Sequence, residues 1–99
     1  MKPEEQVLFL TANLGSEVLR SFSLREKAGE QEAENSLLRA LAICERLNAF
    51  PLTSSARGEI ALITQELIAM KRGEIHDTRE SWEKYFDPFA LRITARLGK

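Results

Sequence analysis

A small all-α bundle is the fold class that this sequence predicts, and three observations predict it. Apolar residues recur at steps of three and four through every long segment, the spacing that draws one stripe down a helix. Turn-forming residues separate those segments at Ala28-Gly29, Phe50-Pro51 and Lys71-Arg72-Gly73. No stretch shows a two-residue alternation that rises above the helical pattern. At 99 residues, the chain is expected to form a single helical domain, a four-helix bundle or helical array over residues 1–99.

The first helix starts at Pro3, which costs nothing at the first helical position, with Glu4 and Glu5 favouring the positive end of the dipole. Val7, Leu10, Leu14 and Val18 mark one face, flanked by Leu8, Leu19 and Phe22. Gly15 interrupts the pattern at about 1 kcal/mol relative to alanine, which a close helix–helix contact would explain. The helix is expected over about 4–22. Ser23 and Glu26 have capping-box spacing, so a new helix could begin there, or the first could run on to Lys27, with Ala28-Gly29 the better punctuation.

A second helix is expected over about 30–49, with Leu37, Leu41, Cys44 and Asn48 on one line and Leu38 and Leu47 beside it. Phe50-Pro51 ends it, because the residue before proline is pushed out of the helical region. Thr53, Ser54 and Ser55 each offer an N-cap for the third helix. That helix, Gly58 to Arg72, is apolar at Ile60, Ile63, Leu67 and Met70. Ala61, Leu62, Ile68 and Ala69 widen the stripe. An apolar girth of this width predicts several packing neighbours, so this segment is expected to be the central helix. Leu41, Ile63 and Leu67 are expected to be almost fully buried.

Lys71, Arg72 and Gly73 are ordinary C-terminal signals. Asp77 with Glu80 then has capping spacing for a short helix through Trp82 and Tyr85 to Phe86. Asp87-Pro88 pairs an N-cap aspartate with a proline at N1, so the fourth element is expected to be split there. The last piece carries Phe89, Leu91, Ile93 and Leu97.

Composition narrows function by exclusion. Net charge is −1. Residues 1–50 hold six basic and eight acidic side chains and residues 51–99 hold eight and seven, so no broad cationic surface for phosphate-backbone binding is expected. The one cysteine, Cys44, sits among apolar residues, where burial makes a thiol inert; a reducing, cytoplasmic setting is the simplest expectation. No apolar run approaches the ~20 residues of a membrane span. The five glycines are isolated, so there is no phosphate-cradling loop. Neither a cofactor nor a metal is expected: His76, with Glu74, Asp77 and Glu80 nearby, supplies a single imidazole where zinc takes several His or Cys ligands. Glu59 and Glu66 share a helix face without the Glu-x-x-His repeat of di-iron bundles.

Two surfaces remain as candidates. Four of the seven aromatics fall within Trp82–Phe89. They either close the core, with Tyr85 keeping its hydroxyl in water, or anchor a protein partner. Trp82, Tyr85, Phe86 and Phe89, with the cationic pair Arg92 and Arg96 four residues apart, form the candidate partner-binding set. Read with the wide apolar faces of helices 1 and 3, this predicts a non-catalytic interaction or regulatory bundle, a homodimer or the partner of another protein. The expected patch joins Trp82–Phe89 to Leu8 and Phe9. The alternative is a nucleic-acid binder or ribonuclease-like enzyme using Arg72, His76 and Arg79, which would share a face on one continuous helix. Gly73 and the Asp77 cap argue that the helix is broken between them.

Overall fold

The computed structural model describes residues 2–74 and 79–97, with the side chains of residues 92 and 94–97 left outside the description. The described residues form four α-helices: α1 (Pro3–Lys27), α2 (Glu30–Asn48), α3 (Ser54–Lys71) and α4 (Arg79–Leu97). The chain turns back on itself at each connection. Arg57 of α3 reaches the end of α2, and Arg79 of α4 reaches Ser23 near the end of α1. The helices therefore run up, down, up and down around one core.

α3 is not the helix that the others are packed on. α1 lies between α2 and α4, with its more extensive contact along α2. α3 packs on α2 and meets α4 only briefly. Among the described residues α1 and α3 are diagonal and share no close backbone approach. The expectation of a central third helix fails for a physical reason. Its buried line is the single stripe Ala56, Ile60, Ile63, Leu67 and Met70, while Leu62 stays 61% exposed. Ala61 and Ile68 are exposed as well. The extra apolar girth faces outward instead of finding neighbours. Conversely, α1 buries Thr11, Gly15 and Ser21 alongside Val7, Leu10, Leu14 and Val18, so its buried face is wider than its apolar residues alone suggest. The two hydroxyls cost little inside: Thr11 Oγ1 donates to the Val7 carbonyl at 2.7 Å and Ser21 Oγ to the Val18 carbonyl at 2.6 Å.

Small residues set the α1–α2 approach. Ala33, Ser36 and Ala40 are buried on α2 beside Leu37, Cys44 and Leu47, and short side chains let two helix backbones come close. They also rotate the buried line away from the expected one. Ile63 and Leu67 are fully buried as anticipated, but Leu41 is only partly buried and Asn48 is exposed. Glu17 and Arg39 bridge the two helices at 3.0 Å, with Arg39 also donating to Ser36 Oγ at 2.9 Å.

The helix ends follow local chemistry in most places. α1 runs through Ser23 to Lys27, and Gly29, at φ +96°, makes the turn. That is a backbone conformation glycine adopts without penalty. Ser23 is not a cap: its hydroxyl accepts a hydrogen bond from Arg79 Nη1 at 3.1 Å. Thr53 caps α3, its Oγ1 accepting from the Ala56 N–H at 3.1 Å. Arg57 then donates from Nη1 to the Asn48 carbonyl and from Nη2 to the Phe50 carbonyl, both at 2.8 Å. One side chain thus reaches two carbonyls where α2 ends, of which that of Phe50 also accepts from the Leu52 N–H at 2.8 Å. Gly73, at φ +87°, closes the far end of α3. The Asp77 capping position lies outside the described residues.

The expected split at Asp87-Pro88 does not occur; α4 is one helix with Pro88 inside it. A mid-helix proline removes an N–H and crowds the carbonyl four residues back, at roughly 3 kcal/mol. Pro88 and Asp87 are exposed, so the carbonyl that loses its partner is on the side where water can replace it. Phe86 and Phe89, on either side of the proline, are both held in the core. Tertiary anchoring outweighs a local start signal.

The anchoring of Phe86 depends on Gly15. A Cβ built on Gly15 would lie 2.5 Å from Phe86 Cε1 and 3.0 Å from Cζ. The ring cannot swing aside easily, because it stacks on Trp82 (centroids 5.7 Å apart) and meets Phe89 (5.6 Å). Gly15→Ala gains about 1 kcal/mol of helix propensity and overpacks a core contact at about 1–3 kcal/mol. The expected outcome is a lower urea midpoint, with the loss reduced in the Phe86→Leu background. A Gly15→Ala protein stabilised by the full propensity gain would show that the ring is free to move.

Candidate functional site

The slight contact between α3 and α4 leaves a cleft. It encloses a cavity of about 330 Å³ lined by Leu62, Ile63 and Glu66 from α3 and Trp82 and Tyr85 from α4. Helical spacing explains this grouping. Leu62, Ile63 and Glu66 lie within one turn of each other, as do Trp82 and Tyr85, so each helix turns one edge to the gap. The floor is buried: Ile63 is 1% and Trp82 2% exposed. The rim is open, with Leu62 61% and Tyr85 39% exposed. The Trp82 and Tyr85 rings stand 6.2 Å apart, tilted by 51°. The Trp82 indole Nε1–H is buried and has no acceptor among the described residues. Such a group costs roughly 1–3 kcal/mol when left unpaired.

The aromatic cluster therefore divides. Trp82, Phe86 and Phe89 close the core, and Tyr85 alone of the four is exposed. The three buried rings offer little surface to a partner in the isolated chain. Arg92 and Arg96 belong to α4, but their side chains lie outside the described residues. The anticipated patch joining Trp82–Phe89 to Leu8 and Phe9 does not form as one surface. Leu8 and Phe9 are exposed on α1 at 51% and 58%, whereas Tyr85 turns toward α3. Phe9 lines a different hollow with Gln6, Leu10, Arg46, Ala49 and Phe50 at the end of α2.

The Arg72, His76 and Arg79 constellation does not lie on one helix. α3 ends at Lys71, Arg72 is its C-cap, and Gly73 turns the chain before α4 starts at Arg79. His76 lies outside the described residues. Arg79 is engaged, donating to Ser23 Oγ and lying 3.6 Å from the Glu83 carboxylate. Among the described residues no group of three or more His, Cys, Asp or Glu side chains converges to hold a metal ion. No helix of the described residues is long and apolar enough to cross a membrane.

Two features of the cleft escaped the sequence pattern. Leu62 and Glu66 read as part of a wide core stripe and a solvated face, and only the placement of α4 brings them opposite Tyr85. The unpaired indole nitrogen has no sequence signature at all.

Cys44 is 1% exposed and faces Thr64 across the α2–α3 seam. Burial pushes its thiol pKa upward, and a hydrogen bond with the Thr64 side chain offsets this only in part. Thr64 Oγ1 itself donates to the Ile60 carbonyl at 2.8 Å. The thiolate is the reactive species, so a raised pKa and occlusion act in the same direction.

The chain matches no family model, no curated protein and no solved structure in comparisons with each.

Cys44 should react slowly with a disulfide exchange reagent at neutral pH in the folded protein and rapidly in denaturant. The two rates, read by absorbance of the released thiol, are expected to differ by at least about a hundredfold, as for a thiol exposed only by opening of the fold. Equal rates would return Cys44 to consideration as a reactive group.

Proposed function

We propose that the protein is a non-catalytic interaction bundle of the cytoplasm that works as a homodimer, with the outward face of α1 and α4 as the contact surface. The observation that carries this reading is the placement of Leu8 and Leu91. They are 51% and 72% exposed, and the register set by Phe86 against Gly15 puts them at similar levels along the two helices. Moving seven residues back along α1 from Gly15 reaches Leu8; moving seven forward along the antiparallel α4 from Phe86 reaches Ile93. Leu91 is within a turn of that level, on the outer side of α4. Ala12, one turn along from Leu8, is also exposed.

A second copy is the simplest occupant because a two-fold axis brings the same patch onto itself, so one apolar strip covers two. Both helices contribute length: 25 residues in α1 and 19 in α4 at about 1.5 Å per residue form a face long enough for a standard contact of about 800 Å² per partner. Two further observations support a non-catalytic, reducing-compartment reading. The single cysteine is a buried free thiol, and the Arg79 guanidinium is committed to structural contacts.

Sedimentation equilibrium across micromolar concentrations tests the proposal. The wild-type chain should approach twice its 11.2 kDa mass. Leu8→Glu with Leu91→Glu should shift the monomer–dimer midpoint at least tenfold upward while the helical circular dichroism is retained, since both positions are exposed. A monomeric mass at every concentration removes the dimer, and a dimer that survives the double substitution moves the interface to another face.

A further inference from the structure

We propose that two copies of this chain meet along α1 in antiparallel register, with Glu5 of each helix against the partner's Arg20. The proposal rests on the dimer reading of the α1–α4 face. It adds the direction of the pair and the residues that select a second copy.

Helical spacing sets these residues on one strip. Glu5, Leu8, Phe9, Ala12, Ser16 and Arg20 are all exposed. At 3.6 residues per turn they fall within about 120° around α1 and span about 22 Å along it. Phe9 is 58% exposed and the Arg20 side chain 56%, so the contact groups are open to a partner. Leu8 lies two turns before Gly15 on the same side of α1, and Gly15 faces Phe86 of α4. The strip therefore borders the α4 side of the helix. From end to end it reads acid, large apolar, small, base.

Charge selects the occupant and its direction. Among the described residues Glu5 has no ion-pair partner. Arg20 Nη1 lies 3.3 Å from Glu17 Oε1, but the same carboxylate also accepts from Arg39 Nε at 3.0 Å. One acid is thus shared by two guanidinium groups, and this end of the strip keeps a positive excess. At the other end Glu4 and Glu5 outnumber Lys2. A strip that is acidic at one end and basic at the other complements itself only head to tail. Parallel helices would set Glu5 beside Glu5 and Arg20 beside Arg20, and like charges disfavour that arrangement. An antiparallel two-fold makes both attractive contacts at once.

Shape asks for the same register. Phe9 is four residues after Glu5, and Ser16 is four before Arg20. Pairing the charges therefore also sets each Phe9 ring over the partner's Ser16, with Ala12 next to the axis. Large residues opposite small ones let facing helices interdigitate. Short side chains at the crossing bring the helix axes to the near end of the 8–10 Å range.

Sedimentation equilibrium of the full chain at about 50 mM salt tests the register. Glu5→Arg and Arg20→Glu each set like charges together at both ends and should each weaken the dimer about tenfold. Both effects should shrink at about 0.5 M salt. Glu5→Arg combined with Arg20→Glu should return to within about threefold of the wild type. The swap does not restore the Arg20–Glu17 contact, so recovery reports pairing between copies. In a parallel pair each single substitution exchanges one like-charge contact for another, and the midpoint stays. If a charge variant loses its helical circular dichroism, a size swap serves instead. Ser16→Phe should weaken the dimer by setting ring against ring, and adding Phe9→Ser should restore it. Unchanged midpoints in the single variants, or no recovery in the swaps, overturns the register while the dimer stands. A monomeric wild type removes the dimer reading itself, and the register with it.

Discussion

The packing of the Phe86 ring against the bare backbone of Gly15 is the constraint on which the arrangement of the fourth helix rests. A methyl group at that position would come within 2.5 Å of the ring, well inside van der Waals contact. The ring is held on its other sides by Trp82 and Phe89. One missing side chain therefore fixes how far α4 approaches α1, and at which level. The cost is a glycine in the middle of a 25-residue helix, roughly 1 kcal/mol of propensity. Full burial of three aromatic side chains, each worth up to a few kcal/mol, outweighs it.

This makes α4 a helix secured along one side. Its buried residues Trp82, Phe86, Phe89 and Ile93 enter the same core as Val7, Leu10, Leu14 and Val18, and the Arg79–Ser23 bond ties its start to α1. Toward α3 the contact is short. α2 and α3 are joined differently. Arg57 bonds the carbonyls at the end of α2, Cys44 meets Thr64, and Leu37, Leu47, Ile60 and Leu67 are fully buried. The bundle is thus closed on three seams and open on the fourth. A cleft follows from that asymmetry, without any loop built to form it.

Helical class, helix number and most boundaries were legible because local signals and core packing agree at those places. Gly29 and Gly73 sit where φ is positive, Thr53 caps as its side chain allows, and Ile63 and Leu67 lie at the centre of their stripe. Legibility failed where the two disagreed. Asp87-Pro88 is a good helix start in isolation, but Phe86 and Phe89 both reach the core only if one helix continues through it. Leu41 marks the middle of the apolar pattern of α2, but the small residues Ser36 and Ala40 let α1 in beside it and turn Leu41 toward the edge. The width of the apolar face of α3 suggests several neighbours. Periodicity reports which residues are apolar and cannot distinguish Leu62 at an open rim from Leu67 in a core. The candidate cleft depends on that distinction, so Leu62 and Glu66 were out of reach while Trp82 and Tyr85 were not.

The same constraint bears on whether α4 can move. The helix exposes Leu91 and turns Tyr85 toward α3. Coupling between sites requires an element with two arrangements that each ligand distinguishes. Sliding or rotating α4 would lift Phe86 from the Gly15 pocket and expose buried ring surface, and no alternative seat exists along α1, because the buried positions about one turn away, Thr11 and Val18, carry side chains. A packed ring with a single seat behaves as a fixed joint and not as a switch. The glycine that positions α4 is therefore also what holds it in one arrangement.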